Sequence, residues 1–148
     1  MGRSILGVVA GYVVMSILVI VTLTGAYLAL GAERAFQPAS FEVTGFWIII
    51  STVLSFVAAM AGGLIAAMLG KGTRAPMFLA VVVVVLGVIM AIPTLDAPEP
   101  GGPRTGEIGN FDAMMSAEQP SFVAFLNPVI GAVGVLVGGR MRRPGRAS

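Results

Sequence analysis

The chain of 148 residues contains no cysteine and no histidine, and charged residues make up only 11% of it. Without cysteine, the chain can form neither disulfide bonds nor thiolate metal sites, and it has no cysteine nucleophile. Without histidine, it lacks the usual proton shuttle and the commonest metal ligand. A soluble domain carries charge on about a quarter of its residues. The scarcity of charge therefore favours a protein that is solvated largely by lipid.

Apolar residues make up 57% of the chain and are concentrated in four uncharged runs, at 4–32, 43–70, 75–95 and 119–139. A helix needs about 20 residues to cross a bilayer core of about 30 Å, and each run reaches that length. Barrel strands are excluded because they alternate in polarity, whereas residues 81–85 are all valine. The first run is longer than the roughly 7–15 apolar residues of a cleaved signal peptide, so we expect it to be retained as a helix.

These patterns predict an all-α integral membrane protein with a single domain, folded as an up-and-down bundle of four transmembrane helices. The spans are predicted at about 5–30, 45–69, 76–93 and 120–139. Two outer loops (31–44 and 94–119), an inner turn (70–75) and a basic tail (140–148) complete the chain.

Smaller features lie between and beside these spans. Trp47, near the start of the second span, fits the aromatic belt of a membrane interface. The 31–44 loop contains Pro38 and three charged residues, which predicts an irregular, solvated segment. Residues 110–118 form either a short helix capped by Asn110 and lying on the membrane, or a turn of a solvated loop.

The charged residues are divided unequally between the two ends of the predicted bundle. Seven of the nine basic residues lie at the N-terminus, in the 70–74 turn and in the tail, whereas all seven acidic residues lie in the two longer loops. By the positive-inside rule, both termini are cytoplasmic and the loops are outside. The excess of arginine over lysine and the abundance of glycine, alanine and valine favour a bacterial source, and hence the bacterial cytoplasmic membrane.

Small residues recur along one face of each predicted span, at spacings of three and four residues. Such residues let transmembrane helices approach closely. In the first span this stripe continues through Gly25 to Ala29. The glycines predicted to pack helices together are Gly7, Gly11, Gly62, Gly87, Gly131, Gly134 and Gly138. Two interpretations remain open: contacts inside one bundle, or contact with another subunit through the Gly7–Gly11 or Gly134–Gly138 pair.

Asn127 and Pro128 form the one polar break in the fourth span. Proline cannot donate its backbone hydrogen bond, so the carbonyl of Ala124 loses its usual partner. We expect a polar layer at this depth, in which Asn127 bonds to a neighbouring hydroxyl or to a freed carbonyl; the hydroxyls at that depth belong to Thr22, Ser51 and Ser55. The layer either holds helices together or binds a small ligand, an ion or water.

The cluster Arg140, Arg142 and Arg143 ends the fourth span and is expected to bind anionic lipid headgroups. The cluster is too short, and too poor in aromatic residues, to predict binding of nucleic acid. No predicted span contains Asp, Glu, Lys or Arg, which argues against an ion pump or a proton-coupled transporter. The acids of the 94–119 loop lack the spacing of a calcium loop, so no metal or cofactor is expected.

The sequence thus favours a protein that is not an enzyme. The expected function is that of an accessory or scaffold subunit, which associates with a larger membrane complex or with itself. Membrane lipids and other membrane-protein subunits are the expected partners. The alternative is a small channel or transporter that passes a small solute through the layer around Asn127.

Overall fold

The computed structural model describes residues 2–38, 40–70, 74–95 and 117–142. Its helices are α1 (Gly2–Leu30), α2 (Ala32–Ala35), α3 (Gly45–Gly70), α4 (Arg74–Ala91), a 3₁₀ helix (Ile92–Leu95) and α5 (Ser121–Met141). Four of these segments are long and apolar enough to cross a membrane, namely α1, α3, α4 with its 3₁₀ extension, and α5. The prediction of four long apolar helices is therefore confirmed.

The helix bounds differ from the expected ones by a few residues. α1 begins three residues earlier than expected, and α4 begins at Arg74, which places Pro76 in its first turn, where proline is tolerated. Pro93 lies in the 3₁₀ helix that follows α4. Most of the expected short helix at 110–118 lies outside the described residues. At its end, Glu118 is extended rather than helical.

α3 is the central helix, and two adjacent glycines bring its backbone close to two neighbours. A Cβ atom placed on Gly62 would lie 2.7 Å from the carbonyl oxygen of Gly11 on α1. A Cβ atom on Gly63 would overlap the carbonyl group of Val135 on α5. Because successive helical residues point about 100° apart, one pair of glycines serves two interfaces.

α4 packs mainly against α5 and less extensively against α1 and α3. Gly87 of α4 accommodates Pro128, because a Cβ atom at position 87 would overlap the proline ring. Near the other end of the same pair, a Cβ atom on Gly139 would lie 2.6 Å from Cβ of Pro76. The order of the spans around the bundle is therefore first, second, fourth, third, rather than the order along the chain.

The remaining predicted packing glycines also contact helices of the same chain. Gly7 lies against Ala66 and Gly70, Gly131 against Val83, Gly134 against Phe56 and Ala59, and Gly138 against Met60. Both glycine pairs considered for contact with another subunit are thus covered within the chain. Gly25 differs, since it is exposed and a Cβ atom placed there would meet nothing within 4 Å.

The described part of the loop after α1 folds into a compact structure, which we call the cap (residues 31–38 and 40–44 with 117–119). Phe36 is 3% exposed and Val43 is 2% exposed. The ring of Tyr27, from α1, packs edge-on against both Phe36 and Trp47, with ring centroids 6.0 and 5.9 Å apart. Burial of these side chains compensates for the entropy that is lost when the loop becomes ordered.

Backbone hydrogen bonds join the two segments of the cap. Val43 N–H donates to the carbonyl of Glu118 (3.1 Å), and Glu118 N–H donates to the carbonyl of Phe41 (3.0 Å). Thr44 caps α3, because its Oγ1 accepts a hydrogen bond from Trp47 N–H at 3.1 Å and donates one to the carbonyl of Arg34 at 2.6 Å. Gly31, with φ of 78°, makes the turn out of α1.

Two expectations about this region are corrected. The 31–44 loop is not simply irregular and solvated, because it buries an apolar side. Trp47 does not face the membrane interface: it is 7% exposed, because Tyr27 and the cap cover it. The aromatic position near the end of a span was correct, but the ring faces inward.

The two ends of the bundle carry opposite charge. Gly70 packs beside Ser4, and Gly139 packs beside Pro76, so the ends of these helices meet at one end of the bundle. We call it the basic end, because its described charged residues are all arginines, namely Arg3, Arg74, Arg140 and Arg142. The cap end carries Glu33, Arg34, Glu42 and Glu118.

Replacement of Gly11 by alanine should destabilise the bundle. The added Cβ would lie 2.6 Å from the carbonyl oxygen of Gly62 and 2.9 Å from Leu79 Cδ2, and overpacking of this kind costs about 1–3 kcal/mol. Gly25→Ala in the same helix is the control, since it makes the same change of helix propensity without a clash. Thermal unfolding in a mild detergent should give a lower Tm for G11A only. Equal Tm values would contradict the close contact.

Candidate functional site

The two residues of the polar break in α5, Asn127 and Pro128, have different surroundings. Pro128 is buried and fills the space left by Gly87 on α4. Asn127 is exposed, and its side chain makes no hydrogen bond with any residue that the structure describes. The proline therefore belongs to helix packing, and the amide remains available to other groups.

Asn127 borders a crevice of about 550 Å³ that touches all four spans. Its polar lining side chains are Ser55, Gln119 and Asn127. The rest of the lining is apolar or glycine and consists of Met15, Val19, Ala59, Val83, Gly87, Met90, Ala91, Ala124, Pro128 and Gly131. The crevice therefore occupies the half of the bundle nearer the cap, at the depth expected for the polar layer.

Only part of the predicted layer lines this crevice. Ser55 and Asn127 both border it, as does Gly87. The hydroxyl of Thr22 instead donates to the carbonyl of Leu18 (2.6 Å), and that of Ser51 donates to the carbonyl of Ile48 (3.1 Å). Serine and threonine commonly bond back to their own helix in this way. Equal depth along the helices did not determine which face each hydroxyl occupies.

The expected hydrogen bond from Asn127 to a neighbouring hydroxyl is not formed among the described residues. Ser55 and Asn127 instead present a hydroxyl and an amide, neither bonded to a described residue, to the same space. Unsatisfied polar groups are costly in hydrocarbon, so both favour water or a small neutral polar group beside them. None of the described lining residues is ionisable, so these residues offer no group for acid–base catalysis.

The basic residues predicted to bind lipid headgroups have different surroundings. The guanidinium of Arg142 donates a hydrogen bond to the carbonyl of Ala67, in the last turn of α3. Arginine there satisfies a free carbonyl and complements the negative end of the helix dipole. Arg140 is exposed, and Arg143 lies outside the described residues. Arg142 thus has a structural partner that the sequence pattern did not indicate.

No group of His, Asp or Glu that could hold a metal ion occurs in the part of the chain that the structure describes. The buried cluster of Tyr27, Phe36 and Trp47 is a feature that the sequence did not predict. Its only sequence signal was the number of aromatic residues close to one loop, and that signal does not distinguish burial from an interfacial position.

Asn127→Leu should leave the stability of the protein nearly unchanged. The amide is exposed and unbonded, and substitutions away from structural contacts change stability by no more than about 0.5 kcal/mol. Gly87→Ala, on the neighbouring helix α4, is the contrasting variant. It should lower the Tm because the added Cβ overlaps Pro128. A large loss of Tm in N127L would show that the amide supports the bundle, as the sequence alone suggested.

Comparison of the chain with protein-family models, with curated proteins and with solved structures finds no match. What the crevice and the two ends of the bundle do must therefore be inferred from their own residues.

Proposed function

We propose that the chain is an integral protein of a bacterial cytoplasmic membrane, with both termini cytoplasmic and its four spans running up and down. The contacts support alternating directions. Gly7 and Gly11 meet Gly70 and Gly62 respectively, in opposite chain order, whereas the α3–α5 contacts follow the same chain order. The concentration of arginine at the basic end supports a cytoplasmic position for that end.

In this membrane the protein acts as a non-catalytic accessory or scaffold subunit of a larger complex or of a homo-oligomer. The observation that carries this proposal is the ordered cap. A loop that only connects two spans can remain solvated, because ordering costs about 1–2 kcal/mol per residue. This loop instead has a buried apolar side and a hydrogen-bonded backbone. Such a rigid surface binds a partner with little further loss of entropy.

The outer face of the cap is the surface that we assign to the partner. Glu33, Arg34, Thr44 and Phe46 border a hollow of about 330 Å³ on it. Phe46 is 49% exposed beside two opposite charges, and aromatic and arginine side chains often contribute most to protein interfaces. The packing glycines are covered within the chain, so among the described residues the cap is the surface with specific chemistry outside the proposed spans.

The packing beyond the crevice supports a role other than transport. Between the crevice and the basic end lies a buried apolar cluster, formed by Ala59, Ala66, Ala75, Leu79, Ala80 and Val135. Of the residues that the structure describes, no buried one carries a charge. A solute path would have to cross this cluster, whereas a scaffold requires only a stably packed bundle.

The proposed orientation can be tested by labelling, since the chain has no cysteine of its own. Gln37→Cys on the cap should react with a membrane-impermeant maleimide in intact spheroplasts. Gly2→Cys at the basic end should react only after lysis. Both positions are exposed in the structure, so a lack of labelling reflects the membrane barrier. The opposite pattern would reverse the orientation, and labelling of both in intact spheroplasts would contradict a spanning bundle.

Exchange of the two cap charges, Glu33→Arg with Arg34→Glu, should release the partner. The exchange keeps the net charge, and both side chains are exposed, so the Tm should be unchanged. Arg3→Gln at the basic end is the control and should keep the complex. The measurement is the mass of the particle purified in mild detergent, against 15.2 kDa for one chain. A monodisperse monomer from wild-type membranes would contradict the proposal.

A further inference from the structure

Two crevices at the basic end share one arginine. The larger, of about 620 Å³, lies between α1 and α4 and is lined by Ser4, Ile5, Val8, Val9, Arg74 and Phe78. The second, of about 370 Å³, lies between α4 and α5 and is lined by Arg74, Pro76, Met77, Leu136, Gly139 and Arg140. Arg74, the first residue of α4, thus separates two largely apolar spaces.

Arg74 and Arg140 lack partners among the described residues. Neither side chain makes a hydrogen bond or an ion pair there, whereas Arg142 nearby is bonded to Ala67. Arginine carries a planar set of donors that fits two oxygens of a phosphate group at once. Arg74 also lies at the start of a helix of 18 residues, where the helix dipole favours an anion. Both features favour a phosphate ligand.

The walls of both crevices favour a ligand with an apolar part as well. Ile5 is 63% exposed, Phe78 is 59% exposed and Met77 is 63% exposed, all beside Arg74. A free phosphate ion would satisfy the guanidinium groups but would leave these side chains uncovered. A ligand with an anionic head and two hydrocarbon chains satisfies the charge and the walls together.

We propose that the basic end holds one anionic glycerophospholipid. Its phosphate binds Arg74 and Arg140, and its two acyl chains occupy the crevices on either side of α4. This site differs from the expected binding of headgroups by the tail arginines, since Arg142 is bonded to α3 and Arg74 lies outside the tail. It is also independent of the proposed partner surface, which lies at the cap end.

Arg74→Gln is the first test, with Arg3→Gln as the matched control. Both variants remove one charge from an exposed arginine at the same end of the bundle, but Arg3 borders neither crevice. The purified full chain is titrated in mild detergent with phosphatidylglycerol, and lipid-bound chains are counted by native mass spectrometry. We expect saturation at one lipid per chain. The affinity should fall by about tenfold or more in R74Q and much less in R3Q.

Val9→Ser tests the acyl part of the site. It should weaken the binding of phosphatidylglycerol and leave the binding of glycerol phosphate, which has no chains, unchanged. Equal losses in R74Q and R3Q would overturn the proposal in favour of diffuse attraction to the arginines. Non-saturating binding would also overturn it, as would equal affinity for phosphatidylcholine or for inorganic phosphate. Loss of the cap's partner would change none of these results, so the two proposals fail separately.

Discussion

The architecture depends on the close approach of backbones at Gly62 and Gly63. Lipid provides little hydrophobic drive to bring helices together, so transmembrane helices associate through close packing of small residues. Adjacent glycines on α3 meet Gly11 of α1 and Val135 of α5 at once. Because any side chain at these positions would meet the backbone of a neighbour, the pair fixes the distances between three of the four spans.

This constraint also determines where space remains. α4 is held mainly by α5, through Gly87 and Pro128 at one level and Pro76 and Gly139 at another. Its weaker contact with α1 leaves two openings. One, toward the cap, is the Asn127 crevice, and the other is the larger of the two basic-end crevices. Thr44 gives the cap its firm connection to α3, since its hydroxyl caps that helix and also bonds to the loop.

The number of spans and their approximate bounds could be predicted because an uncharged apolar run of about 20 residues is typical of a membrane-spanning helix. A stripe of small residues on one face of each helix predicted Gly62 but not Gly63, because α3 has two such faces. The predicted stripe of the first span also passed through Gly25, where a Cβ atom would have no neighbour within 4 Å. Thr22 and Ser51 do not border the crevice, and their hydroxyls donate hydrogen bonds to carbonyls of their own helices. The depth of a residue along its helix does not predict which of these bonds its hydroxyl forms.

The chemistry of the protein is therefore concentrated at its ends, while the middle of the bundle is packed and uncharged. At the cap end, Glu33 and Arg34 of the cap border a surface hollow together with Phe46 of α3. At the basic end, arginines without a described partner border apolar openings beside α4. This helix packs mainly against α5 and much less against α1 and α3. A lipid in those openings would add to the limited contact between α1 and α4. The lipid would then complete the bundle on one side of the membrane, while the cap completes it on the other.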